Sequence, residues 1–283
     1  MAHAAAWRTF SLEIAYDGAA FLGWQIQPAG RTVQGELAMA CGRILNQPVS
    51  LTGAGRTDAG VHARASLCSF SACTPRRADE LWRALRRVVP DDVLVQRVDE
   101  RPLGFSARFS ATARQYGYRL VRGRDPFRRR QAWCTGFRLD LERMSAALAP
   151  LSGRRDCRGF CVAGSLPPQA WCDFQLAEVE AMEDEIWFRV RCDRFLHSMV
   201  RSLAGTLLDI GRGRLATDTL ERILETGDRR LCGVVAPPQG LYLERVCYPD
   251  FETGGSEGWS RREEEEEPQI SRQGRGFPET RLD

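Results

Sequence analysis

The sequence predicts an α+β protein built from two successive halves with mostly antiparallel sheets. Runs that alternate apolar and polar residues, typical of half-buried strands, occur between runs whose apolar residues recur every three to four positions, typical of amphipathic helices. This succession occurs twice, over residues 9–104 and 105–250, and no segment repeats in sequence at a fixed spacing. We expect residues 1–8 to be an N-terminal tail. Residues 251–283 are acidic and poor in apolar residues, so we expect a disordered tail.

The first half carries four predicted strands and two predicted helices. Residues 10–16 alternate large apolar side chains with Ser11, Glu13 and Ala15, which is the pattern of a half-buried strand. Thr32 can cap a helix that continues to about Gln47, because its hydroxyl can accept a hydrogen bond from a first-turn backbone N–H. The predicted elements of this half are strands 10–16, 49–51, 65–70 and 93–98 and helices 33–47 and 78–89.

The second half has the same kind of succession. In the run 196–210, six apolar side chains fall on one helical face, whereas His197, Arg201 and the nearby Arg194 fall on the other. That polar face either is solvated or turns into a cleft. Thr217 can cap a short helix that ends near Glu225. The predicted elements of this half are strands 115–121, 176–182, 185–192 and 241–248 and helices 140–151, 196–210 and 218–225.

Charge is distributed unevenly along the chain. All 40 basic residues are arginine, and the formal net charge is only +3. Residues 1–250, however, contain 35 basic and 28 acidic residues, a net charge of +7, because the acidic tail includes five consecutive glutamates at 263–267. Genomic base composition is the main explanation for the absence of lysine. The excess positive charge still indicates an anionic partner, and the planar arginine fork suits phosphate.

The cysteines and the N-terminus indicate the compartment. The ten cysteines include no CxxC pair, and only three histidines are present, so the spacing of a zinc site is missing. Reduced, buried thiols are the expected state. The N-terminus lacks a long apolar segment, and no apolar run is long enough to span a membrane. We therefore expect a cytoplasmic protein that binds neither a metal nor a membrane.

A loop between two predicted strands is the most informative segment. It reads Gly-Ala-Gly-Arg-Thr-Asp-Ala-Gly-Val-His-Ala-Arg over residues 53–64. A dinucleotide-binding loop would need glycine where Asp58 stands, and no Gly-Lys-Ser/Thr follows, so this is neither a dinucleotide nor a phosphate-binding loop. From periodicity alone, Asp58 is a turn residue. Its neighbours Arg56 and Arg64 also fit an ionised carboxylate that acts as a nucleophile.

Aromatic and basic residues in the second half suggest contact with nucleic acid. Tyr116 and Tyr118 share one face of a predicted strand, where two aromatics usually belong to the core but can also stack on an unpaired base. A cluster of five arginines follows, which fits a phosphate-contacting loop or a solubilising surface. The cluster consists of Arg122, Arg124, Arg128, Arg129 and Arg130.

Several short motifs, in order along the chain, resemble the tRNA pseudouridine synthase A family. The longest match is Gly55-Arg56-Thr57-Asp58-Ala59-Gly60-Val61-His62-Ala63, and the resemblance covers about residues 8–250. The other matching motifs are Tyr16-Asp17-Gly18, Gly23-Trp24-Gln25, Thr32-Val33-Gln34, Ala107-Arg108-Phe109-Ser110-Ala111-Thr112-Ala113, Tyr116-x-Tyr118, His197-Ser198-Met199-Val200-Arg201 and Gly240-Leu241-Tyr242-Leu243.

The resemblance implies both a fold and a reaction. The family folds as two α+β halves with antiparallel sheets around a central RNA-binding cleft, and it acts as a homodimer. It converts uridine to pseudouridine in the anticodon stem-loop of tRNA, at positions 38, 39 and 40. It uses neither a metal nor a cofactor of any kind, nucleotide cofactors included.

The family's site residues match positions of this chain. Asp58 corresponds to the nucleophile, Arg56 to the residue that displaces the target base, and Tyr116 to the ring that packs against the flipped uracil. Arg201 is expected to pair with Asp58, and Leu241 to line the base pocket. The five clustered arginines and His197 are the candidate RNA-binding residues.

One region departs from the family pattern. The usual Asp-Phe-x-Ser-Phe run is replaced by Asp156-Cys157-Arg158-Gly159-Phe160, and Cys172-Asp173-Phe174 stands where an arginine is usual. This region helps to shape RNA contacts, so the sequence leaves open which uridines are modified. Two other functions also stay open, a non-catalytic RNA-binding module and a hydrolase that uses Asp58. A hydrolase normally needs a second carboxylate, and the matched motifs supply Arg and Tyr instead.

Overall fold

Among the residues that the structure describes, ten strands form one continuous sheet that includes both halves of the chain. The computed structural model describes residues 6–162 and 164–254. The strands are ordered β4-β1-β3-β10-β5-β9-β8-β7, with β2 paired to β3 and β6 paired to β5. All pairs are antiparallel except β10 with β3 and β5 with β6. The predicted α+β class with mostly antiparallel pairing is therefore confirmed, and the sheets of the two halves join where β10 meets β3.

The element bounds agree with most of the sequence expectations, but residues 49–51 form no strand, and the short β2 follows them at 52–53. Two further short strands, β6 and β7, were not predicted. The strands are β1 (Ala6–Tyr16), β2 (Thr52–Gly53), β3 (His62–Thr74), β4 (Val93–Arg101), β5 (Ala113–Arg122), β6 (Trp133–Thr135), β7 (Gly153–Asp156), β8 (Trp171–Met182), β9 (Glu185–Cys192) and β10 (Leu241–Cys247). The helices are α1 (Val33–Leu45), α2 (Ala78–Leu85), α3 (Leu141–Ala147), α4 (Met199–Gly211) and α5 (Thr219–Thr226).

The two ends of the ordered sheet lie slightly outside the expected boundaries. β1 begins at Ala6, so residues 6–8 belong to the sheet and not to an N-terminal tail. At the other end, Glu252 bridges Cys247, and buried Thr253 donates a hydrogen bond of 2.6 Å from its hydroxyl to the carbonyl of Ala65. The first four residues of the expected acidic tail thus pack on the sheet, and the remainder of that tail lies outside the described residues.

Helix α4 differs from its prediction in two ways. It begins at Met199 and not at Leu196, because Ser198 takes a left-handed backbone conformation with φ +55°. Arg194 and His197 therefore precede the helix. Every residue of α4 except Arg201 is buried, since the helix packs against α3, α5 and β5. A solvated polar face is thus excluded, and the one polar side chain that remains partly open is Arg201.

The remaining helix ends follow local signals. The Thr32 hydroxyl accepts the N–H of Gly35 at 3.3 Å, as predicted, and Asp140 caps α3 by accepting the N–H of Arg143. The prediction of Thr217 as a cap was wrong, since α5 starts one residue later, after Asp218.

All ten cysteines are free, and six of them are buried. Burial raises the pKa of the Cys41 thiol to about 12 and that of Cys68 well above its usual range. These thiols are protonated and pack as small apolar groups. Within the two described ranges, no helix is long and apolar enough to cross a membrane.

Candidate active site

The loop that carries Asp58 connects β2 to β3 and borders a cleft of about 910 Å³. Side chains from both halves of the chain line this cleft. The N-terminal half contributes the loop itself and Trp24, whereas the C-terminal half contributes Tyr116 on β5, Leu241 at the start of β10, the segment 194–198 and Val200. The cleft therefore depends on the junction between β3, β10 and β5.

The segment 16–24 holds the Asp58 loop in place from behind. Tyr16 and Thr57 share a hydrogen bond of 2.8 Å between their hydroxyls, and the N–H of Trp24 donates to the carbonyl of Thr57 at 3.0 Å. Gly23 has a φ of +100°, and a Cβ there would stand 2.7 Å from the same carbonyl oxygen. The sequence motifs around Tyr16 and Gly23 thus shape the loop backbone from a distance of some 40 residues.

The glycines of the loop serve protein packing more than ligand access. A Cβ on Gly53 would lie 2.5 Å from the indole ring of Trp24, which is 2% exposed. Gly60 turns the chain with a φ of +77° beside Pro238. Gly55 also borders the cleft, and a Cβ added there would find ordinary space, 3.6 Å from the hydroxyl of Tyr116. The loop's small residues are therefore needed chiefly by the fold.

Asp58 is held through one of its two carboxylate oxygens. Oδ2 accepts hydrogen bonds from the Ser198 hydroxyl at 2.9 Å and from Nη1 of Arg201 at 3.1 Å. Arg201 is itself fixed, because its Nε donates to the carbonyl of Ala236 at 2.8 Å. The expected pairing of Arg201 with Asp58 is present. Asp58 lines the cleft, and its Oδ1 accepts no hydrogen bond from another described residue, so Oδ1 is the more available of the two oxygens.

His197 lies beside the open oxygen. Its Nε2 is 3.6 Å from Oδ1 of Asp58, and its Nδ1 forms a hydrogen bond of 3.0 Å with the hydroxyl of Ser165. Ser165 lies between the two segments that were expected to depart from the family pattern. The region of residues 156–174 thus reaches the neighbourhood of Asp58 through His197.

Tyr116 forms the inner wall of the cleft. Its ring is 8% exposed and meets Phe195 edge to face, with ring centroids 5.0 Å apart. Burial raises the pKa of the Tyr116 phenol to about 12, so this side chain stays neutral at physiological pH. Leu241 is buried in the same wall, and Arg56 is exposed at the rim. The structure therefore brings all five predicted core residues, Asp58, Arg56, Tyr116, Leu241 and Arg201, to one place.

The arginine cluster after β5 lies elsewhere. None of its five members lines the cleft. Arg128 is engaged in ion pairs with Asp125, Asp184 and Glu185, so its charge is neutralised within the protein. The other four, Arg122, Arg124, Arg129 and Arg130, are exposed.

Two residues of the site, Ser198 and Arg114, were not predicted from the sequence. Ser198 holds Asp58, and a lone serine inside a matched motif gave no signal for that role. Arg114 donates to the carbonyls of Ala54 at 2.9 Å, Asp193 at 2.9 Å and Arg108 at 2.8 Å, and burial lowers its pKa. A single arginine at the start of a strand has no pattern that distinguishes such a clamp from a surface charge.

Comparison with known proteins identifies the family. The sequence model of the family described as tRNA pseudouridine synthase matches residues 14–110 and 147–249, which is more than half of the chain. The chain belongs to this family. It is 38% identical to the tRNA pseudouridine synthase A of Exiguobacterium sibiricum over 247 residues, covering 87% of this chain and 99% of that protein.

A second relative gives the same result. The tRNA pseudouridine synthase A of Moorella thermoacetica is 41% identical over 242 residues, with 84% of this chain and 98% of that protein covered. Among solved structures, the archaeal box H/ACA sRNP Nop10-Cbf5 complex matches with 15% identity and a TM-score of 0.31, covering 70% of this chain and 44% of that chain. The last likeness is too low to support a conclusion.

Proposed function

We propose that this chain converts uridine to pseudouridine in the anticodon stem-loop of tRNA, at positions 38, 39 and 40, with Asp58 as the nucleophile. The general activity, isomerisation of uridine in tRNA, follows from membership of the family. The observation that supports Asp58 is its geometry. One carboxylate oxygen is held by Ser198 and Arg201, whereas the other has no hydrogen-bond partner among the described residues, and Asp58 lines a cleft that residues of both halves of the chain border.

The reaction requires one glycosidic bond to break and one carbon–carbon bond to form. The bond between N1 of uracil and C1′ of the ribose breaks, the base turns, and C5 bonds to C1′. C5 then loses its proton and N1 gains one, so no atom or electron is lost overall. Oδ1 of Asp58 attacks C1′ or stabilises the cationic sugar, as carboxylates do in glycoside chemistry. One carboxylate suffices because the base is recaptured and not replaced by water.

The other cleft residues support this step. Moving the target base out of its stack costs a few kcal/mol. Arg56, exposed at the rim, is suited to occupy the position that the base leaves, and the buried ring of Tyr116 is suited to pack against the uracil. Leu241 closes the same wall with an apolar surface. The three side chains thus offset the cost of base displacement.

We also propose how the rest of the molecule serves the RNA. The four exposed arginines of the cluster, together with His197, contact phosphates, while Arg128 holds its loop through the three carboxylates that neutralise it. The N-terminal half, residues 9–104, forms one wall of the RNA-binding cleft, and the C-terminal half, residues 105–250, forms the other. The homodimer remains our proposal from the family resemblance, and the cytoplasmic location our proposal from the free, mostly buried cysteines.

The test is replacement of Asp58. Asp58→Asn and Asp58→Ala should make no pseudouridine in an unmodified tRNA transcript, while circular dichroism and tRNA affinity stay close to wild type. Asp91→Asn, which alters an exposed carboxylate before β4, is the matched control and should retain activity. Substantial turnover by either Asp58 variant would exclude it as nucleophile. Free uracil among the wild-type products would favour a hydrolase instead.

A further inference from the structure

Phe109 presents an unusual surface at the mouth of the cleft. Its side chain is 81% exposed, yet it lines the same cleft as Asp58 and Tyr116. Single exposed apolar side chains are common, and Phe127, outside the cleft lining, is 92% exposed. What distinguishes Phe109 is its position in the cleft, where a ligand that covered the ring would be stabilised by the burial of apolar surface.

The backbone beneath this ring is fixed. Arg114 donates to the carbonyl of Arg108 at 2.8 Å and to the carbonyl of Ala54 at 2.9 Å, which ties the residue before Phe109 to the loop of Asp58. The N–H of Ser110 donates to the carbonyl of Ser106 at 2.9 Å and closes a tight turn around Phe109. Phe109 is thus held at a set position relative to Asp58.

The surroundings of the ring suit a nucleotide. The guanidinium carbon of Arg108 lies 5.4 Å from the centre of the Phe109 ring. Arg56 and Arg194 are exposed and line the same cleft. An aromatic face next to arginines is the common arrangement by which proteins hold an unpaired base together with its phosphate.

We propose that Phe109 forms a second stacking position, which takes the nucleobase adjacent to the target uridine, with Arg108 on its phosphate. This inference rests on the proposed function. Tyr116 is buried in the inner wall and suits the target base, whereas Phe109 is exposed at the rim and suits the neighbour that stays outside. Removing a base from its stack leaves its neighbour with one uncovered face, and Phe109 covers that face.

The first experiment compares substitutions at Phe109. Phe109→Ala should raise KM for an anticodon stem-loop RNA by about 5- to 150-fold, the range for loss of one stacked base, with little change in kcat. Phe109→Trp should restore KM. Trp7→Ala, which removes an aromatic side chain that is 66% exposed outside the cleft lining, is the matched control and should leave KM unchanged. Equal KM values for Phe109→Ala and wild type overturn the proposal.

The second experiment tests the occupant directly. Stem-loop RNAs with an abasic residue on the 5′ or the 3′ side of the target are assayed with wild type and Phe109→Ala. Stacking predicts that at one of these sides the two losses are not additive, because both remove the same contact. Additive losses at both sides overturn the stacking proposal. If wild type makes pseudouridine in the intact RNA, the proposed function stands regardless of that result, and if it makes none, both proposals fail.

Discussion

The hydroxyl of Ser198 donates a hydrogen bond of 2.9 Å to Oδ2 of Asp58, although 140 residues separate them in sequence. Ser198 also has a left-handed backbone with φ +55°. The other non-glycine residues with positive φ in the described chain, Asn46 and Glu183, lie at a helix end and a hairpin turn, where this conformation is common. A serine in this conformation costs about 1–3 kcal/mol. The strained backbone conformation thus occurs at the residue whose hydroxyl bonds the candidate nucleophile.

Ser198→Ala should lower the single-turnover rate about tenfold, because one hydrogen bond to a charged group is worth roughly 1.5 kcal/mol. RNA affinity should not change. Ser198→Gly also removes the hydroxyl but relieves the backbone strain, so it should lose the same activity while unfolding at a temperature no lower than that of Ser198→Ala. Full activity in both variants would show that the hydrogen bond does not position Asp58.

Arg201→Met should reduce the rate by roughly 10- to 150-fold, since it removes the cation that bonds Asp58, and such bonds contribute about 1.5–3 kcal/mol. Arg201→Lys should recover only part of the rate, because an ammonium group cannot bond both Asp58 and the carbonyl of Ala236 in this geometry. The matched control is Arg212→Met at the other end of α4, which pairs with Asp209 and should retain the rate. Equal losses for Arg201→Met and Arg212→Met would contradict a specific role.

Tyr116→Ala should lower kcat much more than it raises KM, because the ring packs where the base reacts. Tyr116→Phe should keep most of the activity, since the aromatic face is retained. The pKa of this phenol is raised to about 12 by burial, so the pH–rate profile should show no Tyr116 ionisation below about pH 10. A pure KM effect in Tyr116→Ala would place the ring away from the reacting base.

His62 should make the fold sensitive to acid. Burial lowers its pKa, even though the carboxylate of Asp17 stands 3.1 Å away and favours protonation. As the pH falls below about 6.5, His62 becomes protonated more readily in the unfolded chain than in the folded protein. The free energy of unfolding therefore decreases, by at most about 1.4 kcal/mol per pH unit. Urea unfolding at pH 7.5 and 5.5 measures this change. His62→Gln should show a smaller loss between these two values, and identical losses would refute the assignment.

Gly53→Ala should lower the free energy of unfolding by about 1–3 kcal/mol, the usual cost of overpacking, because the added methyl group meets the buried ring of Trp24. Gly136→Ala is the matched control, since a Cβ there meets no atom within 4 Å. Urea denaturation of both variants separates steric conflict from the general effect of replacing glycine. Equal free energies of unfolding for the two variants would mean that the Trp24 ring can move aside at little cost, which would contradict the prediction.

Local patterns in the sequence predict local structure well. The Thr32 cap, the hairpin of β8 and β9 and the apolar face of α4 depend on neighbours within a few residues, so periodicity and capping signals identify them. The predicted start of α4 was wrong. Leu196 fits the helical period, but the left-handed backbone of Ser198 prevents the helix from beginning before Met199. The short strands β6 and β7 have too few residues to show a period.

Relations between distant segments needed the structure. Nothing local to β10 indicates that it pairs in parallel with β3, since that pairing joins residues about 180 positions apart. The motif resemblance supplied Asp58, Arg56, Tyr116, Arg201 and Leu241, which do come together. It could not supply Ser198 or Arg114, because their roles depend on which atoms face each other after folding.

The position of β10 has a consequence for synthesis of the protein. This strand is the last one within the described residues, yet it fills the centre of the sheet between β3 and β5. A nascent chain that has not yet emerged to residue 241 leaves both inner strands with unpaired backbone edges, which are prone to wrong pairing. The sheet can therefore be completed only after β10 has left the ribosome. A product truncated before residue 241 lacks the strand that joins β3 to β5, and it also lacks Leu241 in the wall of the cleft.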